Sequence, residues 1–333
     1  MPTKIKKIAI IGDGGWGTAL ALHLDRKGYQ ITLWGALKEN IQAIRLTRLN
    51  LKFLPGIRIP ANIELTDNLS LAIAPADLVI LAIPSQYLAD TVKKIKGLAI
   101  SGKIFISGTK GIDTKTLQRM SQIILKELGN VPFAVLSGPT IAREVAEGFP
   151  STAVVAARNA KLAKRVQAVF NSETFRIYTN LDVIGVELGG SLKNVVAIGC
   201  GVCDGLGYGT NTKAAILSRG LVEMARLGKV MGAKEKTFYG LASLGDLLTT
   251  CYSHDSRNRY VGEELGKGKR IDQIVASMSM VAEGVATVKA VYKLSQQRKV
   301  PMPITTEVYN IIYRGKTPQQ AVADLMRREL KPE

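Results

Sequence analysis

The feature that most constrains this chain is an apolar run at residues 5–11 that passes directly into Gly12-Asp13-Gly14-Gly15-Trp16-Gly17 and then into a helical pattern over 15–27. A strand, a GxGxxG turn and a helix in that order are more telling than the glycine pattern alone. The first glycine permits a tight turn, the second lets the backbone approach a pyrophosphate, and the third lets helix and strand pack closely. The helix N-terminus then presents unpaired N–H groups and a partial positive charge to phosphate. The turn is therefore expected to seat a dinucleotide on Gly12, Gly14, Gly15, Trp16 and Gly17.

Further buried strands are expected at 30–34, 77–83, 103–107 and 133–137, with additions to the same sheet at 151–156 and 174–178. Strands alternating with helices of this length imply βαβ units. The expected fold is α/β, a Rossmann-like, doubly wound, mostly parallel sheet covered on both faces. From about residue 182 the pattern turns helical, with segments at 182–203, 212–231, 285–297, 305–314 and 318–330. Thr317-Pro318 reads as a helix start, an N-cap followed by proline at the first helical position. Two domains follow: 1–185, dinucleotide-binding, and 186–333, all-helical and substrate-binding. A cleft between them is where a ligand is expected.

No uncharged apolar run reaches the length of a membrane span, and no secretory core follows the charged start Met-Pro-Thr-Lys. Three cysteines, an odd number, argue against a disulfide framework and fit a reducing compartment, so a cytoplasmic protein is expected. The net charge of +18 raises nucleic-acid binding as a function class. The basic residues are dispersed, however, and no RRM, zinc-finger or KH pattern accompanies them. The charge is better suited to attracting phosphorylated small molecules.

A carboxylate normally holds the adenosine ribose about 20 residues beyond the turn. Here the second strand runs into Gly35-Ala36-Leu37-Lys38, with no acid before Glu39. NADPH is thereby permitted, with Lys38 available to a 2′-phosphate, and the choice between NAD and NADP stays open. Farther on, residues 186–199 are helical by pattern yet hold Gly189, Gly190 and Gly199. Each interior glycine costs a helix about 1 kcal/mol relative to alanine, which suggests close backbone approach. Lys193 lies on this apolar stretch. Burial would lower its pKa and suit it to general acid–base work; a lysine snorkelling from a core helix is the plainer alternative.

Taken together, GDGGWGTALA (12–21), GTKGI (108–112), SGPTIAREVA (137–146), VELGGSLKNVVAIGCGVCDGLGYGTNTKAA (186–215), GLASLGDLLTTC (240–251), SRNR (256–259) and VAEG (281–284) closely resemble the bacterial-type NAD(P)-dependent glycerol-3-phosphate dehydrogenase family, in the family's order. The resemblance implies reversible hydride transfer between NAD(P)H and dihydroxyacetone phosphate to give sn-glycerol 3-phosphate for glycerophospholipid synthesis, in a homodimer without a metal. By the same resemblance, Lys193 is the catalytic proton donor and acceptor. Lys110 touches substrate and cofactor and stabilises the oxyanion, and Asp246 orients lysine and substrate. Ser256, Arg257 and Asn258 form the phosphate clamp, with Gly138, Thr140 and Asn194 as further substrate contacts. Ala142, Arg257, Val281 and Glu283 contact the cofactor. Ala36 stands where the family often has Arg or His.

Other constellations compete less well. Cys200 and Cys203 with Cys251 and His254 could supply four zinc ligands, but free cysteine is also an ordinary core residue. His254 could act as a general acid beside the phosphate loop, whereas His23, among leucines, reads as structural. Glycines at 199, 201, 205, 207 and 209 suggest a mobile loop or close helix packing. A related two-domain hydroxy-acid dehydrogenase is the rival enzyme, although the SRNR segment favours a phosphate substrate.

Overall fold

The computed structural model describes residues 5–278, 280–330 and 332. The chain divides into two compact units. One contains the residues up to Lys110 together with Gln118–Glu187, the other Gly111–Leu117 and everything from Leu188 onward.

In the first unit β1 (Lys7–Ile11) leads through the glycine turn to α1 (Gly15–Arg26) and β2 (Gln30–Trp34). Then follow α2 (Lys38–Thr47), the short strands β3 (Leu49–Asn50), β4 (Leu54–Arg58) and β5 (Glu64–Thr66), and α3 (Leu69–Ile73). The remainder alternates β6 (Leu78–Leu81), α4 (Ser85–Lys96), β7 (Ile104–Ser107), α5 (Met120–Leu128), β8 (Phe133–Ser137), α6 (Ala142–Glu147), β9 (Ser151–Ala156), α7 (Ala160–Phe170) and β10 (Phe175–Asn180).

An eight-stranded sheet runs β10-β9-β8-β7-β6-β1-β2-β5. Its neighbouring strands are parallel except β8 and β9. Side chains alternate between the faces of a strand, yet every residue of β6, β7 and β8 is buried. Both faces are therefore covered, as the continuous apolar runs predict. The strand order reverses between β1 and β6, where Ile11 pairs with both Trp34 and Leu81. Ligands of open α/β sheets bind beyond the strand ends at such a switch point, and the glycine turn sits there. The short elements between residues 38 and 73 were not anticipated individually. Strands of two to five residues carry too few alternations for a periodic signal.

The second unit is helical. The helix α8 (Val183–Gly205) continues into it and is followed by α9 (Thr210–Val230), a 3₁₀ turn (Glu235–Tyr239) and a π-helical turn (Leu241–Gly245). Then come α10 (Asp246–Tyr252), α11 (Arg257–Gly266), α12 (Ile271–Ser277), α13 (Glu283–Gln297), α14 (Pro303–Arg314) and α15 (Pro318–Met326). Thr317 accepts from Gln320 N while Gln320 accepts from Thr317 N, both at 3.3 Å, a capping box that starts α15 at Pro318. The buried Glu223 carboxylate performs the same service for α14, accepting from Ile304 N at 2.6 Å and Thr305 N at 3.1 Å.

By length and composition α8 could cross a membrane, but it is almost wholly buried, which makes it a core helix. The glycines at its end serve packing rather than a mobile loop. A Cβ at Gly201 would stand 2.0 Å from Arg259 O, and one at Gly205 2.1 Å from Glu263 O. Across the contact, a Cβ at Gly262 would lie 2.0 Å from Ile198 O. The backbones of α8 and α11 thus meet directly, which only glycine on both helices allows.

Candidate active site

In the first unit, the glycine turn has the shape expected of a phosphate cradle. Gly12 has φ +124°, and a Cβ at Gly17 would lie 1.8 Å from Gly12 O, so both positions require glycine. At Gly14, by contrast, a Cβ would meet nothing within 4 Å. Gly14 caps α1 without a side-chain hydrogen bond, and no acidic residue lies in the first turn. The space beside Gly14 at the start of α1 is therefore open, and a helix N-terminus of this kind fits a dinucleotide pyrophosphate.

Trp16 Nε1 is buried without a hydrogen-bond partner among the described residues. A Cβ at Gly108 would approach that nitrogen to 3.0 Å, so the glycine there makes room for the Trp16 ring. Ala142 opens α6, which packs on α1, and its Cβ faces Gly15. Lys110 Nζ donates to Gly138 O at 3.1 Å, and Thr140 Oγ1 donates to the same oxygen at 3.1 Å. Three expected residues, Lys110, Gly138 and Thr140, thus converge at the end of β8.

In the second unit, Lys193 and Asp246 are 6 % and 2 % exposed. Lys193 Nζ lies 2.5 Å from Asp246 Oδ1 and 2.5 Å from Thr250 Oγ1. Thr250 Oγ1 in turn donates to Asp246 O at 2.7 Å, one helical turn back. Asp246 is the first residue of α10 and does not cap it; its carboxylate goes to the lysine. Sequence reasoning missed Thr250, although Asp246 and Thr250 are four apart and so share a helix face.

Gly189 explains how α8 and α10 come to face each other. A Cβ there would stand 2.8 Å from both Ala242 O and Ser243 Cβ of the π-helical turn. That turn leads straight into Asp246, and Lys193 follows Gly189 by one helical turn. Single π turns inside helices recur at functional sites.

The SRNR segment is the first turn of α11 rather than a loop. Ser256 is its N-cap, accepting from Arg259 N at 3.2 Å. Arg257 Nη1 donates to Val281 O at 2.9 Å and feels the charge of Glu283. Asn258 Oδ1 accepts from Gly284 N at 2.9 Å. Ser256, Arg257, Asn258, Val281 and Glu283 therefore form one cluster, and Asn194 is buried with its carbonyl near Gly284. Arg259 is tied to Asp204 at 2.7 Å, with Lys213 on the other carboxylate oxygen at 2.6 Å, an ion network that anchors α11.

The three cysteines are buried thiols, and Cys200 hydrogen-bonds to Cys251. Burial and the neighbouring thiol push the Cys203 thiol up to about 12. Exposed His254 instead places Nδ1 3.4 Å from Arg259 Nη1. Among the described residues no group of three or more His, Cys, Asp and Glu is arranged to hold a metal ion.

A switch-point glycine turn and a buried lysine–carboxylate pair define a nicotinamide-dependent dehydrogenase. Residues 7–163 match the family model for the NAD-dependent glycerol-3-phosphate dehydrogenase N-terminus, and residues 182–323 that for its C-terminus. The chain belongs to the NAD-dependent glycerol-3-phosphate dehydrogenase family. It is 48 % identical over 329 residues to glycerol-3-phosphate dehydrogenase [NAD(P)+] of Chlorobium limicola, covering 98 % of this chain and 99 % of that one. It is 47 % identical to the enzyme of that name from a Thermoanaerobacter species, covering 98 % of each chain. The crystal structure of glycerol-3-phosphate dehydrogenase from Coxiella burnetii superimposes with a TM-score of 0.94 at 37 % identity, over 97 % of this chain and 99 % of that chain.

Proposed function

We propose that Lys193 exchanges the proton, and that Ser256, Arg257 and Asn258 hold the phosphate, in the reversible reduction of dihydroxyacetone phosphate to sn-glycerol 3-phosphate. Residues 1–185 serve as the cofactor domain and 186–333 as the substrate domain. The observation that carries the reading is the sealed Lys193–Asp246–Thr250 group. An ammonium has three N–H directions. Two of them are claimed by a carboxylate and a hydroxyl, so the head group is held in one orientation.

Bound NAD(P)H supplies hydride to the substrate's second carbon. Lys193 Nζ donates its proton to the oxygen that becomes the hydroxyl, and takes one back in the reverse direction. Asp246 keeps the amine in place and balances its charge while it is protonated. Lys110 contributes a second cation to the developing oxyanion and contacts the cofactor. The Arg257 guanidinium, at the N-terminus of α11, suits a phosphate monoester through its planar fork of donors. Gly138, Thr140 and Asn194 add substrate contacts; Ala142, Val281 and Glu283 add cofactor contacts.

The product feeds glycerophospholipid synthesis. Buried, unpaired thiols support a cytoplasmic setting, and the chain acts as a homodimer with no nucleic-acid partner and no integral membrane association. A substrate panel tests the reading. NADH or NADPH oxidation is expected with dihydroxyacetone phosphate and not with ketopantoate or tartronate semialdehyde; the opposite pattern would sink it.

A further inference from the structure

The missing ribose acid has a counterpart in the glycine turn. Gly35 is the first residue after β2, the place from which dinucleotide folds usually extend a carboxylate to the adenosine ribose. A Cβ at Gly35 would stand 2.5 Å from both Cγ and Oδ2 of Asp13. The Asp13 carboxylate therefore lies against this backbone position, in space left by the absent side chain. It is held there: Asn40 Nδ2 donates to Asp13 Oδ2 at 2.7 Å, and Asn50 Nδ2 donates to Asp13 O at 2.7 Å. Gly12 N also donates to Trp34 O at 2.9 Å, which ties the turn to the end of β2.

We infer that Asp13 replaces the ribose acid of β2, accepting a hydrogen bond from the adenosine ribose and disfavouring a 2′-phosphate, so that the protein prefers NADH to NADPH. This rests on the reading that the first unit seats a dinucleotide. Asp13 is only 7 % exposed. Burial pushes its carboxyl up, while the Asn40 amide and nearby Lys52 act in the other direction. A poorly solvated carboxylate gains most from a ligand hydroxyl and repels a phosphate most strongly. Lys38 and Lys52 would attract a 2′-phosphate, but both are exposed, and exposed cations are screened.

The test is equilibrium binding to the purified protein of ADP-ribose and 2′-phospho-ADP-ribose, which isolates the ribose end from the chemistry. The protein should bind ADP-ribose about tenfold more tightly or better, the size of one charge-assisted hydrogen bond. Asp13→Asn should bring the two affinities to within about threefold by weakening the first and strengthening the second. Gly35→Ala, which displaces the carboxylate while leaving it in the chain, should shift the ratio in the same direction, and it carries the test if Asp13→Asn does not fold. Tighter binding of the phosphorylated ligand by the unmodified protein, or an unchanged ratio in a folded variant, overturns the proposal. Failure of both ligands to bind the unmodified protein overturns the dinucleotide reading itself.

Discussion

Lys193 Nζ and Asp246 Oδ1 stand 2.5 Å apart on two helices whose residues are far separated in the chain, and both side chains are nearly sealed from solvent. A buried lysine left without its carboxylate would be strongly destabilised in its charged form. The pair is therefore the point at which fold and proposed chemistry depend on each other.

Removing the proposed proton donor should sharply reduce turnover without emptying the cofactor site. Lys193→Ala is expected to lower kcat by roughly 10²- to 10⁴-fold, the usual worth of a positioned general acid. NADH binding, read by fluorescence titration, should change little. A variant that keeps near-normal kcat would remove Lys193 from the mechanism.

Thr250 is expected to act through the lysine. Thr250→Val leaves the shape and deletes the hydroxyl that Lys193 Nζ meets. We expect kcat to fall about tenfold with little change in KM, the size of a hydrogen bond to a charged group. Thr250→Ser should restore most of it. Equal losses in the valine and serine variants would indicate a packing role instead.

Arg257 should govern substrate affinity. Arg257→Ala is expected to raise the KM for dihydroxyacetone phosphate by about 10- to 100-fold, while Arg257→Lys recovers only part of it because an ammonium lacks the planar fork. Steady-state kinetics with the three proteins decide the matter, and an unchanged KM in the alanine variant contradicts the clamp.

The contact of α8 with α11 predicts a sharp stability contrast. Gly201→Ala places a methyl 2.0 Å from Arg259 O, so it should cost about 3 kcal/mol or prevent folding. Gly97→Ala, where a Cβ would approach nothing closer than 3.8 Å and φ is −78°, should stay within about 0.5 kcal/mol. Urea midpoints of the two variants make the comparison.

His23 gives the fold a pH dependence of definite sign. Burial draws its imidazole down from 6.5 to about 4, and Nε2–H donates to Phe170 O at 2.6 Å. The unfolded chain thus takes up a proton that the folded chain refuses. This contribution to stability is fully present above pH 6.5 and is lost as the pH falls toward 4, about 3 kcal/mol in all. His23→Gln, which keeps a donor, should show a shallower loss of urea stability between pH 7 and pH 5 than the unmodified protein. Parallel curves would show that His23 is not the group responsible.

The sheet and the long helices were legible because their signals lie within a few residues. Strand, glycine turn and helix follow one another at residues 5–27, and Thr317-Pro318 announces α15. Lys193 stood out in the same way, as a charge on an apolar stretch, while the role proposed for it came from the family resemblance. The short strands near residue 55 gave no comparable signal, and the SRNR segment looked like a loop because its capping geometry appears only in the folded backbone.

What the sequence determined by itself was the alternation of strands and helices, the dinucleotide turn and a lysine set on an apolar helix, all encoded in local periodicity and turn chemistry. What only the tertiary structure decided were the partners. Thr250 and Lys193 meet across 57 positions, the glycines of α8 became a helix contact rather than a loop, and Asp13 came to rest in the space at Gly35. Each of these depends on how separate elements pack, and no pattern within one segment carries that information.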